Sequence, residues 1–153
     1  MIEVEIEAEA WSSALASVEA LVIAAAEAAL KGAGAVGGVV VLLADDAAIH
    51  ELNQQFRDKD QATNVLSFPA VENPEHHLGD VALAFETCLR EAEEQAKPLA
   101  HHLQHLVTHG VLHLLGYDHI TDTEADQMEG LERIVLAGLG IPDPYAAEAG
   151  DHV

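Results

Sequence analysis

Cysteine and aromatic residues are both scarce in this chain of 153 residues. The single cysteine, Cys88, excludes an internal disulfide and fits a reducing compartment. Aromatic residues make up only 4% of the chain, so a core must be built mainly from alanine, leucine and valine. Because 50% of the residues are hydrophobic, a core can form without disulfides, and the length is that of one domain.

Basic residues are scarcer still, with 6 lysines and arginines against 27 acidic residues and a formal net charge of −21. Nucleic-acid binding depends on basic side chains that displace counterions from phosphates, so this charge opposes it at long range. A solubilising surface explains such a composition without any specific partner. A nucleic-acid function would need positive charge concentrated locally or supplied by a partner.

Long hydrophobic runs are also missing. The most apolar early stretch, residues 20–30, is interrupted by Glu27 and preceded by acidic residues, unlike a signal peptide or a membrane span. We therefore expect a soluble cytoplasmic protein without a membrane partner. No repeat or linker divides the chain, which predicts a single domain over residues 1–153 with residues 146–153 as a candidate flexible tail.

Hydrophobic patterns predict four strands. Ile2, Val4 and Ile6 alternate with glutamates, which is typical of a half-buried strand. The continuous run of residues 36–43 predicts a central strand that is buried on both faces. The predicted strands are residues 2–6, 36–43, 64–68 and 78–85.

Helical spacing of apolar residues predicts the remaining elements. Thr121 and Glu124 have the spacing of a capping box at the start of the last helix. Residues 57–62 are polar and predict a loop. The predicted helices are residues 11–30, 45–56, a helix from 86, 98–115 and 121–138. The element order indicates an α+β fold with a mixed four-stranded sheet packed against helices.

Six of the ten histidines fall between residues 101 and 119. His109 and His113 are four residues apart and share one helix face, and Gly116 is a good helix terminator that lets His119 return over that face. Three neutral imidazoles with a fourth position open to water are the ligands of a catalytic zinc site. We therefore predict one zinc-like ion per chain, bound by the three histidines, in a metal-dependent hydrolase.

Residues next to these histidines restrict the mechanisms that a bound metal could serve. Gly110 stands where the His-Glu-x-x-His metalloproteases carry their general base, so a standard peptidase mechanism is disfavoured. Asp118 either orients His119 or a water, or caps the turn. His105 shares a helix face with His109 and is a candidate supporting group, although packing or exposure is the commoner role of such a histidine.

Further blocks accompany the histidine motif HGVLHLLGYDH of residues 109–119. Residues 57–69 read RDKDQATNVLSFP, and residues 78–81 read LGDV. Taken together, these blocks resemble the bacterial YbeY family of metal-dependent endoribonucleases, which are implicated in ribosomal RNA maturation and ribosome quality control. The resemblance spans about residues 45–145 in the family's order, and the first forty residues are only loosely similar.

The resemblance implies a zincin-like α+β fold, one Zn²⁺ per chain at His109, His113 and His119, and catalytic roles for Arg57 and His113. A guanidinium can bind a phosphate through two hydrogen bonds and stabilise charge that develops during cleavage, whereas a salt bridge within the loop is the alternative role of Arg57. The implied substrate is single-stranded ribosomal RNA. Ribosomal proteins and a ribosome-associated GTPase are candidate partners.

Two other functions stay open at this stage. A metal-dependent peptide or amide hydrolase fits the histidine motif, and a non-enzymatic, metal-stabilised ribosome assembly factor fits the acidic surface, because such a surface suits a basic protein partner. Ser67 is predicted to be an ordinary strand residue, which would line the site only if its strand lies at the edge of the cleft.

Overall fold

The computed structural model describes residues 1–57 and 63–145, except the side chain of Arg57. The described strands are β1 (Ile2–Ile6), β2 (Gly38–Ala44), β3 (Val65–Pro69) and β4 (His77–Ala84). The described helices are α1 (Glu9–Ala14), α2 (Val18–Gly32), α3 (Asp46–Arg57), α4 (Phe85–Glu94), α5 (Leu99–Leu114) and α6 (Asp122–Gly138). The predicted α+β class is confirmed.

The four strands form one mixed sheet in the order β1-β2-β4-β3. Strand β2 is parallel to both β1 and β4, whereas β3 runs antiparallel to β4. The predicted mixed four-stranded sheet is therefore confirmed. Since β3 pairs only with β4 in the part of the chain that the structure describes, it is an edge strand.

The two faces of the sheet are buried unequally. Val39, Val41 and Leu43 of β2 are buried in the core that includes residues of α2 and α5. Val40 and Leu42, on the opposite face, are only partly buried. The prediction that this strand is buried on both faces was wrong, because the second face is covered mainly by the single amphipathic helix α3.

The predicted helix over residues 11–30 is two helices. Leu15 adopts an extended backbone (φ −133°, ψ 106°), which ends α1 before α2 begins. Trp11 is fully buried, and its indole Nε1 donates to the carbonyl oxygen of Ala44 at 2.9 Å, so α1 is fixed to the end of β2. Serines near the break are weaker helix formers than alanine, so interrupting the helix there costs little.

Helix boundaries otherwise follow local signals. The backbone N–H of Ala48 donates to Oδ1 of Asp45 at 2.8 Å and caps α3. The capping box of α6 is present, with the N–H of Glu124 donating to Oγ1 of Thr121 at 3.1 Å. Arg57, which was predicted to begin a loop, is instead the last residue of α3. Within the described residues, no helix combines the length and the apolar character that a membrane span requires.

Candidate metal centre

The three predicted ligands come together at the C-terminal end of α5. His109 and His113 lie on consecutive turns, and their Nε2 atoms are 3.0 Å apart. Gly116 has φ +99°, a conformation that favours glycine, and its N–H donates to the carbonyl of His113 at 3.0 Å. The chain turns there and brings His119 back, so that the candidate ligand nitrogens of the three histidines lie within 4.8 Å of one another.

The dimensions of this cluster fit a zinc ion. Two nitrogens bound to tetrahedral zinc are about 3.3 Å apart, given Zn–N bonds of about 2.0–2.1 Å. With all nitrogens within 4.8 Å, closure requires a shift of about 1.5 Å at most (4.8 − 3.3). The side chain of His119 is 57% exposed on a turn and can make that adjustment. Three imidazoles within this range are therefore a suitable donor set for a single ion.

The protonation state of His113 also suits metal binding. Burial lowers the pKa of His113, and the neighbouring His109 and His119 lower it further, while Asp118 and the backbone of Tyr117 act in the opposite direction. A neutral imidazole is the form that binds a metal, because the ligating nitrogen must carry a free lone pair. His113 is accordingly favoured in the neutral form that can bind a metal.

A buried carboxylate that was missed in the sequence lies behind the histidines. Glu132 of α6 is fully buried, and its Oε1 is 2.5 Å from Nδ1 of His109. Its Oε2 is 3.1 Å from Nε2 of His105 and accepts a hydrogen bond from the hydroxyl of Tyr145. The available signal was an acidic residue four positions after Met128, on the apolar face of a helix.

The hydrogen bonds keep this carboxylate ionised. Burial by itself would raise the pKa of Glu132, but hydrogen bonds with His105 and His109, attraction from His109 and the bond from Tyr145 together lower that pKa to about 2. Burial and the proximity of Glu132 raise the pKa of the Tyr145 phenol. Tyr145 is therefore a hydrogen-bond donor and Glu132 an acceptor over the physiological pH range.

An open cleft of about 570 Å³ gives access to the three histidines. Its other wall is the edge strand β3, whose residues Val65, Ser67 and Pro69 face the cleft at the two-residue period of a strand. The hydroxyl of Ser67 donates to the carbonyl of Gly110 at 3.2 Å and links this wall to α5. Strand β3 therefore does edge the site, which makes Ser67 a cleft residue as well as a strand residue.

The structure also locates the neighbouring residues of the motif. A Cβ on Gly110 would lie 2.7 Å from Cγ1 of Val81, so position 110 faces the sheet and not the cleft. The carboxylate of Asp118 accepts from the backbone N–H of His119 at 2.8 Å, and its nearest approach to the ring Nδ1 is 3.9 Å. These contacts favour the turn-capping role of Asp118.

Arg57, the predicted phosphate-binding residue, has its backbone at the end of α3, and its side chain lies outside the described part of the structure. Residues 58–62 of the same sequence block are also outside it. The described chain resumes at Thr63, which lines the cleft. The catalytic role of Arg57 stays a prediction.

Comparisons with known proteins converge on one family. A family model described as Endoribonuclease YbeY matches residues 2–140. A protein of that name from Rhodopseudomonas palustris is 52% identical, over 95% of this chain and 81% of its own length. Its counterpart from Paramagnetospirillum magneticum is 50% identical over 96% of both chains. The solution structure of TM1509 from Thermotoga maritima matches with a TM-score of 0.63 and 29% identity, over 99% of this chain and 93% of that one.

Proposed function

Because the chain belongs to the Endoribonuclease YbeY family, we propose that it is a zinc-dependent endoribonuclease that cleaves single-stranded RNA in the cleft between β3 and α5. Family membership confirms the prediction of a hydrolytic nuclease. The observation that supports the metal is the convergence of His109, His113 and His119. We place the activity in ribosomal RNA maturation and ribosome quality control.

Each part of the cleft has a chemical role in this proposal. A zinc ion bound there would supply Lewis-acid stabilisation of charge on a phosphoryl oxygen and ease the ionisation of water. His109 and His113 provide rigid imidazoles from one helix, and His119 completes the set from the turn. Arg57 would bind the phosphodiester through paired hydrogen bonds and stabilise the negative charge that develops during cleavage.

The acidic surface requires that RNA be delivered to a local positive site. The net charge of −21 repels RNA at long range, whereas the bound cation and Arg57 would act at short range within the cleft. A ribosomal protein or a ribosome-associated GTPase would compensate for the repulsion by docking the enzyme beside its substrate. A basic surface on such a partner would suit an acidic enzyme.

The peptidase alternative loses support in the structure. Its general base would have to stand at position 110, where any side chain would press against Val81 of the sheet. The described geometry therefore gives no carboxylate at the place where a His-Glu-x-x-His mechanism needs one.

The metal site can be tested by elemental analysis of untagged protein. We expect about one zinc per chain in the wild type, loss of that zinc in His113→Ala, and retention in the matched control His50→Ala, whose histidine lies on α3. A wild type that binds no zinc even after incubation with excess metal would contradict the proposed cofactor. A folded His113→Ala protein that keeps the cellular function would favour the assembly-factor role.

The role of Arg57 can be tested by cleavage of a single-stranded RNA. Arg57→Ala should reduce the rate by about 100- to 1,000-fold, the usual cost of losing one group that stabilises developing charge, while its zinc content stays at the wild-type level. Arg90→Ala, which removes an exposed arginine on α4, is the matched control and should cleave normally. Undiminished cleavage by Arg57→Ala would remove this residue from the mechanism.

A further inference from the structure

We propose that Glu132 is a positioning residue that holds His109 in one tautomer and one orientation, with its Nε2 directed at the other two histidines. The inference rests on the proposed metal site, because it concerns how one ligand is prepared for the ion. It extends the site from three residues on α5 and its turn to a hydrogen-bonded group that includes α6 and the segment after it.

The tautomer follows from the chemistry of the contact. Oε1 of Glu132 lies 2.5 Å from Nδ1 of His109, and an ionised carboxylate can only accept hydrogen bonds. Nδ1 must therefore carry the proton. In a neutral ring the other nitrogen, Nε2, then has the free lone pair, and this is the atom that faces His113 at 3.0 Å.

The carboxylate is itself held in place. Its second oxygen, Oε2, contacts Nε2 of His105 at 3.1 Å and accepts from the Tyr145 hydroxyl. Nδ1 of His105 is buried without a hydrogen-bond partner among the described residues, so the polar contacts of this ring are those of Nε2 with Glu132 and Tyr145. Both oxygens of Glu132 are engaged and the residue has no solvent exposure, so these contacts hold the carboxylate in its observed orientation.

The contact with Glu132 prepares His109 to bind a metal through Nε2. If Glu132 were absent, the Nδ1 proton of His109 would lose its acceptor, and the ring could instead place its proton on Nε2 or rotate away from the cluster. Either change would have to be reversed before a metal could bind, and outer hydrogen-bond partners of this kind typically change metal affinity by about 10- to 100-fold.

The first test is the tautomer of His109 in metal-free wild-type protein. Long-range ¹H–¹⁵N NMR correlations of the imidazole rings, assigned with a His109→Gln spectrum, should show Nδ1 protonated and Nε2 unprotonated. A proton on Nε2 would overturn the proposal. This measurement needs neither zinc nor RNA, so it gives a result even if the proposed metal site fails.

The second test is zinc affinity, measured by competition with a chelating dye. Glu132→Gln keeps the shape of the side chain but removes its charge, and it should weaken zinc binding by about 10-fold or more. Glu129→Gln removes one charge from the preceding turn of α6 and should bind zinc within about twofold of wild type. Circular dichroism and thermal unfolding confirm that each variant is folded.

The outcomes separate the two proposals. Equal zinc affinity in wild type and folded Glu132→Gln would overturn the positioning role while leaving the metal site intact. Equal losses in Glu132→Gln and Glu129→Gln would also overturn it, since the effect would then come from net charge alone. A wild type that binds no zinc would contradict the proposed function, and the tautomer spectrum would still show whether Nδ1 of His109 carries the proton that the contact with Glu132 requires.

Discussion

At the scale of single residues, Gly110 sets how closely α5 approaches the sheet. A Cβ at this position would lie 2.7 Å from Cγ1 of Val81 and 3.3 Å from Oγ of Ser67. Val81 is β-branched, fully buried and on the interior strand β4, so it has little room to move. The width of the cleft between β3 and the histidines therefore depends on the absence of a Cβ at position 110.

Gly110→Ala should destabilise the protein. Overpacking a closely packed position costs about 1–3 kcal/mol, and the better helix propensity of alanine returns about 1 kcal/mol at most. Gly130→Ala is the matched control, because it also lies within a helix but a Cβ there would meet no atom within 4 Å. Urea unfolding should show a lower midpoint for Gly110→Ala and a slightly higher one for Gly130→Ala. A stabilised Gly110→Ala protein would contradict the close contact.

At the scale of secondary-structure elements, a buried histidine joins α5 to α4. His102 is almost fully buried, and its Nε2 is 2.8 Å from Oε1 of Glu91. The same carboxylate oxygen accepts from Nδ2 of Asn64, just before β3, at 3.0 Å. Glu91 therefore connects α4, α5 and the start of the edge strand, which together support one end of the cleft.

This connection should make stability depend on pH. Burial lowers the pKa of His102, the bond and charge of Glu91 act against this, and Lys97 and His105 lower it further. The folded state therefore binds a proton at lower pH than the unfolded state, in which an ordinary histidine titrates near pH 6.5. Stability should be fully present above that pH and should fall as the pH drops through it toward the lowered folded pKa.

The measurement compares urea unfolding at pH 7.5 and pH 5.5, in chelator so that no metal contributes. The wild type should lose more stability than His102→Gln, which has no titrating ring at this position. The difference between the two proteins isolates His102 from the other histidines. If both proteins lose the same amount, the buried ring does not contribute to acid sensitivity.

At the scale of the whole molecule, like-charge repulsion is the dominant electrostatic feature. A net charge of −21 on 153 residues opposes the compact state, and salt screens such repulsion between exposed charges. An exposed ion pair such as that of Arg133 with Asp143, at 3.2 Å, is too weak to offset it. Salt should therefore stabilise the folded protein.

Raising NaCl from 0.05 to 0.5 M should increase the melting temperature of the metal-free protein. If screening recovers about 1 kcal/mol, the midpoint rises by about 2–4 °C. KCl should act like NaCl, because screening depends on ionic strength and not on the cation. A melting temperature that falls with salt would mean that favourable ion pairs outweigh the repulsion.

Features that depend on near neighbours in the chain could be predicted from the sequence. Apart from the break between α1 and α2, the element order, the capping box of Thr121 and the pairing of His109 with His113 follow from local sequence signals. Gly116 needs only its own backbone freedom to end α5 and return His119 to the cluster. These signals act within a few residues, so packing between distant elements did not change them.

Features that join distant parts of the chain were decided by tertiary packing. Glu132 lies 23 residues from His109, and Gly110 faces Val81 across the sheet, so neither contact is encoded in local periodicity. Tertiary packing likewise decides the break between α1 and α2 and the partial exposure of one face of β2, since both depend on which surfaces the neighbouring helices cover. The histidine motif thus determined the candidate ligands. The packing of α6 and of the edge strand β3 around α5 decided how those ligands are held and how a substrate reaches them. Burial and hydrogen bonding between elements arise only when the elements come together, so the sequence alone did not show them.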